Sequence, residues 1–191
     1  MKSKQSERED IRVHINWMIR RDFGEVLAIE SESFRFPWGE DDFIRTLRQR
    51  VIPMTAEHDG RVVGFMIYEL HGKEIHVLNF AVGREFRRRS VGSQMVAKLF
   101  AKLSAQRRNR ITLEVCETNL AAQLFFRENG FQAVDVLRNF YDLADGDRED
   151  AYLMEYRYQQ EQQQNTGRNT TGLVTPESLR PCNRISKYHF G

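Results

Sequence analysis

Cysteine is scarce: Cys116 and Cys182 are the two in 191 residues, far apart and without metal-ligand spacing. They offer neither a disulfide framework nor a zinc site, and they suit a reducing compartment. Long apolar runs are missing too. None approaches the roughly 18 residues of a membrane span, and the opening MKSKQSERED has no apolar core of the signal-peptide kind. A cytoplasmic protein with no membrane partner is the expectation. Excess charge of either sign is also lacking, since 29 Lys and Arg against 27 Asp and Glu leave +2. That balance argues against nucleic acid as a partner. What remains is ordinary globular composition, 40% hydrophobic and 29% charged, at a length that fits one domain with residues to spare.

The chain is organised around IHVLNFAVGREFRRRSVGSQMVAKLFAK, from Ile75 to Lys102. Ile75 to Val82 is apolar and β-rich, broken only by His76 and Asn79, which reads as a central strand. Arg84, Arg87, Arg88 and Arg89 then cluster in a loop. From Val91 the period changes, and Val91, Met95, Val96, Leu99 and Leu103 form one helical stripe. Ser90, Gly92 and Ser93 keep the helix start open to a ligand. Free N–H groups, the positive end of the helix dipole and nearby arginines together make a seat for an anion such as phosphate. A solvated basic turn is the plainer alternative on charge alone.

In chain order, Ile11 to Ile19 alternates as a first strand. Asp22 and Glu25 resemble a capping box for a helix burying Phe23, Val26, Leu27 and Phe34. Phe36-Pro37-Trp38-Gly39 turns a corner into a short helix carrying Phe43, Ile44 and Leu47. Asp59-Gly60 marks a hairpin between Met54–His58 and Arg61–Leu70, and His71-Gly72-Lys73 turns into the strand at Ile75. Arg110–Val115 is a further strand. Asn119 caps a helix burying Ala122, Phe125 and Phe126, which Gly130 stops. Phe131–Leu137 and Ala151–Tyr158 pair as final strands across a polar loop, Asp142–Asp150. The expected organisation is a flexible start over 1–10, one domain over 11–158 and a polar, disordered tail over 159–191. The fold class is α/β: a mixed, twisted sheet of about seven strands with about four helices.

Several stretches together resemble the GNAT acyl-CoA N-acetyltransferases, in the RimI-type branch that acetylates protein N-termini, including that of a ribosomal protein. They are Ile29–Phe34 with Phe36-Pro37-Trp38, Leu78–Val82, Arg87–Gly92, Leu113–Val115 with Asn119, Asn129–Phe131 and Arg138–Tyr141. Arg87-Arg88-Arg89-Ser90-Val91-Gly92 matches the family's pyrophosphate signature, with Ser90 where a glycine is usual. The resemblance implies a single-domain GNAT fold with a splayed central parallel pair, and acetyl-CoA as co-substrate without a metal. It implies that Phe80, Ala81 and Val82 offer backbone groups to the thioester arm. Arg87, Arg88, Arg89, Ser90, Val91, Gly92 and Ser93 would hold the pyrophosphate, and Asn119, also a plausible helix cap, would reach the pantetheine.

By the same resemblance Glu114 is the general base, with a surface carboxylate as the plain alternative. Phe126 stands in the cofactor site where the branch has a proton-donating tyrosine, and Tyr141 is a second candidate for that role. Phe34, Phe36, Trp38 and Tyr141 would line the side where the peptide enters. The implied reaction is direct transfer from acetyl-CoA to a protein N-terminal amine. The alternatives are a small amine or lysine side chain as acceptor, or a coenzyme A-binding module with weakened turnover.

Overall fold

The computed structural model describes residues 9–142 and 147–158. The expectations for residues 1–8, for the middle of the last loop and for the tail lie outside these. The strands are β1 (His14–Trp17), β2 (Val51–His58), β3 (Arg61–His71), β4 (Glu74–Val82), β5 (Arg110–Cys116), β6 (Gln132–Asp142) and β7 (Arg148–Arg157). The helices are α1 (Phe23–Ser33), α2 (Glu40–Leu47), α3 (Val91–Phe100) and α4 (Leu120–Glu128). The strands form one sheet in the order β1-β2-β3-β4-β5-β7-β6. Among the described residues only β4 and β5 are parallel neighbours; every other pair is antiparallel. This is the expected mixed α/β sheet. Among the described residues, no helix is long and apolar enough to cross a membrane.

The β2–β3 hairpin turns where the sequence places it. Asp59 and Gly60 both have positive φ, 50° and 75°, as a two-residue turn matching the strand twist requires. Elsewhere the element ends differ from expectation for identifiable reasons. The expected first strand shrinks to four residues because α3 takes up the backbone before it. Gln94 accepts a hydrogen bond from Val13 N at 3.1 Å and donates to Ile11 O at 2.7 Å. The final hairpin is longer than expected, drawn out by an Arg148–Asp142 ion pair at 2.9 Å. The Asp22–Glu25 capping box does not form. Asp22 accepts from Ile19 N, and the Glu25 carboxylate reaches across to Val62 N on β3 at 3.1 Å.

Helices cover both faces of the sheet. On one, α3 and α4 bury Val91, Met95, Leu99 and Phe126 with Met66, Ile75, Ile111 and Leu113. On the other, α1 and α2 bury Val26, Ile29 and Phe43 with Phe65, Ile67 and Ala81. Glu30 of α1 is 1% exposed within this second layer. Its carboxylate accepts from Trp38 N at 2.8 Å and from Asn79 Nδ2 at 3.0 Å. Burial outweighs these hydrogen bonds and raises its pKa from 4.5 to about 6.

That shift makes stability depend on pH. The folded state binds the extra proton between the two values, so the gain from a protonated Glu30 is full below 4.5 and lost as pH rises through about 6. At pH 8 the buried charge costs roughly 2 kcal/mol. Glu30→Gln can still accept from Trp38 N and can donate to Asn79 Oδ1, a buried atom without a partner. Urea denaturation should find Glu30→Gln more stable than the wild type by about 1–2 kcal/mol at pH 8, with no gain at pH 4.

Candidate active site

The parallel pair opens partway along its length. β4 and β5 are in register from Glu74↔Arg110 to Val77↔Leu113 and no further. The cause is one residue of spacing on β4. Against β3, Val77 pairs with Tyr68 and Asn79 with Ile67, so Leu78 is a bulge. A bulge bends its strand and raises its twist. It also reverses which side chains face which layer. Ile75 and Val77 pack with the α3–α4 layer, as do Phe80 and Val82 beyond the bulge, while Leu78 and Ala81 pack with α1–α2. β5 meanwhile stays paired to β7 through Cys116. Among the described residues no strand pairs with the β5-facing edge of Leu78–Val82, so a wedge-shaped gap exposes polar backbone there.

The basic bend lies beyond the end of this edge. Arg88 and Ser90 both have φ of 61°, a left-handed conformation that turns successive N–H groups together. Ser90 precedes α3 without capping it, because its hydroxyl donates to Asp10 at 2.6 Å instead. The first intrahelical bond is Gln94 N to Ser90 O, which leaves the N–H groups of Val91, Gly92 and Ser93 outside the helical ladder. Gly92 is required by packing: a Cβ there would meet the Phe125 ring of α4 at 2.9 Å. The arginines divide. Arg87 donates to Val82 O at 2.9 Å and Ser33 Oγ at 2.8 Å, fastening the bend to β4 and α1. Arg89 donates to Glu9 O at 3.1 Å, and Arg88 stands exposed.

Ser90 explains why glycine is usual at its position, since the left-handed region costs an L-residue roughly 1–2 kcal/mol. Denaturation should show Ser90→Ala about 1 kcal/mol less stable through loss of the Asp10 bond without relief of strain, and Ser90→Gly more stable than Ser90→Ala by about 1–2 kcal/mol because it loses the same bond but relieves the strain.

Glu114 sits one residue past the last β4–β5 pair, at the throat of the gap. Its side chain is 19% exposed, and Oε2 lies 3.3 Å from His76 Nε2. Burial raises its pKa; His76 opposes the shift, and Glu74 and Glu69 add to it. The Tyr141 hydroxyl donates to the Glu114 carbonyl at 3.5 Å. A second bulge brings it there: Leu137 pairs with Ala151 and Tyr141 with Glu149, leaving three β6 residues opposite Asp150. The Asp150 carboxylate holds that bulge by accepting from Asn139 N at 2.8 Å and pairing with Arg138. Those hydrogen bonds lower its pKa. Burial and then the Glu114 charge raise the Tyr141 pKa, so this phenol is a hydrogen-bond donor that holds its proton firmly.

The remaining sequence candidates scatter. Trp38 is half-buried and packs edge-on against Phe43 with ring centroids 5.4 Å apart. Phe34 is half-buried in the same layer, and Phe36 is 45% exposed beneath Arg35. Asn119 caps α4, accepting from Ala122 N at 3.1 Å. Phe126 is 6% exposed in an aromatic cluster, T-shaped against Phe80 at 5.6 Å. Sequence reasoning passed over His76, Thr112 and Glu74, which surround Glu114 on one face of the sheet. The signal was present as the polar break at His76. Among the described residues, no group of His, Cys, Asp and Glu could hold a metal ion.

Comparison with known proteins agrees with this geometry. The model of the acetyltransferase (GNAT) family matches residues 23–131. A [ribosomal protein bS18]-alanine N-acetyltransferase of Salmonella typhimurium is 31% identical over 126 residues, 66% of this chain and 84% of the relative. The crystal structure of the ribosomal-protein-S18-alanine N-acetyltransferase from Escherichia coli superposes with a TM-score of 0.68 at 25% identity, covering 81% of this chain and 100% of that one. Arabidopsis thaliana NAA60, solved in complex with acetyl-CoA, shares the fold at 17% identity and a TM-score of 0.66, over 76% of this chain and 98% of its own. A mixed sheet opened beside an uncapped helix start and a match spanning more than half of the residues lead to one assignment: the chain belongs to the GNAT acetyltransferase family.

Proposed function

We propose that residues 11–158 transfer the acetyl group of acetyl-CoA to the α-amino group of a protein N-terminus, in the cytoplasm, with a ribosomal protein as acceptor. The observation that carries this reading is the half-buried Glu114 carboxylate at the throat of the β4–β5 gap, beside the open start of α3. The N–H groups of Val91, Gly92 and Ser93, with Arg88 alongside, fit a diphosphate. The backbone edge of Phe80–Val82, apart from the Val82 carbonyl held by Arg87, fits the amide-bearing arm that follows it, and the arm then points into the gap. Arg87 contributes by holding the bend in place.

The acceptor must lose a proton to attack. At pH 7 this costs an α-amine of pKa near 7.8 about 1 kcal/mol and a lysine near 10.4 about 4.6 kcal/mol. A carboxylate with a raised pKa is a better base than an ordinary one. It suits the first acceptor and falls short for the second. The amine nitrogen attacks the thioester carbonyl, the C–S bond breaks with its electron pair on sulfur, and Glu114 takes the amine proton. A thiol near pKa 8.5 leaves readily as thiolate. Tyr141 keeps its own proton and serves by hydrogen bonding, so the absence of a hydroxyl at Phe126 does not stop the reaction.

The test is incubation with acetyl-CoA and peptides bearing free or blocked N-termini, one of them beginning with alanine, with thiol release as the readout. Transfer to free peptide α-amines is expected. Transfer only to lysine or small amines would replace the acceptor assignment, and binding of acetyl-CoA without thiol release would leave a coenzyme A-binding module.

A further inference from the structure

A continuous polar chain runs from Glu114 across β5 and β4. Thr112 Oγ1 is 2.5 Å from Glu74 Oε1 and 3.0 Å from His76 Nδ1, and His76 Nε2 is 3.3 Å from Glu114 Oε2. Arg110 Nε donates to the other Glu74 oxygen at 2.8 Å. Counting hydrogens fixes the arrangement. The single hydroxyl hydrogen of Thr112 goes to Glu74, the shorter contact and an anion. Thr112 Oγ1 is then an acceptor towards His76, so Nδ1 carries the hydrogen of the neutral ring. Nε2 is left bare, facing a carboxylate oxygen. Without a proton this contact sets two lone pairs against each other; with one it becomes a charge-assisted hydrogen bond.

We propose that the base is a Glu114–His76 dyad, in which His76 is a positioning residue that shares the proton Glu114 removes from the acceptor amine. The proposal rests on the acetyl-transfer reading above. The contact is repulsive when empty and bonded when loaded. As the C–N bond forms and the C–S bond breaks, one proton leaves the amine for Glu114 and moves on to Nε2. Nothing is oxidised or reduced. The proton then passes back to Glu114 and leaves to solvent, to which both side chains are 19% exposed, so the ring keeps its hydrogen on Nδ1. Glu69 on β3 lies across from His76, and Glu155 on β7 lies across from Thr112.

Glutamine at position 76 separates sharing from simple positioning, because its amide can still donate to Glu114 but cannot carry a proton. His76→Gln should lower kcat by about 10²-fold and leave KM for acetyl-CoA within twofold; a kcat within threefold of wild type overturns the proposal. A second measurement does not need turnover. Imidazole ¹⁵N shifts should show His76 hydrogen on Nδ1, with the Nε2 signal changed in Glu114→Gln. A ring carrying its hydrogen on Nε2 in both proteins overturns the proposal as well. If the wild type acetylates no amine, the acetyl-transfer reading fails and the spectrum alone decides whether the dyad exists.

Discussion

Glu114→Gln is expected to lower kcat by about 10²–10⁴-fold, the range that a positioned general base contributes, while calorimetry finds acetyl-CoA binding unchanged. The two readouts separate because they draw on different parts of the molecule. The anion seat is made by the bend and the start of α3, whereas Glu114 lies on β5 at the throat of the gap. Glutamine keeps the shape and a polar amide facing His76 but cannot take a proton. The wild-type pH profile should carry the same information. In the proposed reaction Glu114 works as the carboxylate, and burial raises its pKa above the ordinary 4.5. Activity should therefore fall with decreasing pH at a midpoint above that value, and residual activity of the variant should lack this limb. Unchanged turnover in Glu114→Gln would remove the residue from the mechanism.

Phe43→Ala should cost about 3–5 kcal/mol of stability. Phe43 is 1% exposed, and its ring contacts Phe23, Trp38 and Phe65 with centroids 5.4–6.5 Å apart. It joins α1, the Phe36-Pro37-Trp38 corner and α2 to the sheet, so no single neighbour can fill its space. For a chain of this size the melting temperature should drop by roughly 10 °C or more. The loss should also be selective. The corner rests on the α1–α2 layer, while α3 belongs to the opposite one. Below the new melting temperature, KM for a peptide acceptor should rise severalfold while affinity for acetyl-CoA holds.

The order of elements was legible because each has a clear period and each turn a specific chemistry. Asp59-Gly60, Asn119 and Gly130 mark their boundaries by backbone needs that few residues meet. The helix start was legible for the same reason: Ser90, Gly92 and the α3 stripe mark where α3 begins. The bulge at Leu78 was not legible. IHVLNFAV is apolar on both faces, so a shift of one residue leaves no trace in the pattern. The bulge on β6 was hidden differently, since Arg138 and Asn139 lie past the expected strand end at Leu137 and what holds them is Asp150. Glu25 looked like a cap because its bond to Val62 spans 37 positions. His76 showed only as a break in a strand, and its meaning needed Glu114 and Thr112, more than thirty positions away, on the same face of the sheet.

The extra residue at Leu78 also decides which kinds of sequence change this region can absorb. In the proposed reading a bound molecule meets main chain along Phe80–Val82, which nearly every amino acid supplies alike, so exchanges of similar bulk leave the surface on offer intact. Removing or inserting a single codon between positions 77 and 80 is another matter. It would let β4 run flush with β5 or swap the layers that Phe80 and Ala81 face, shutting the cleft while leaving every other residue in place.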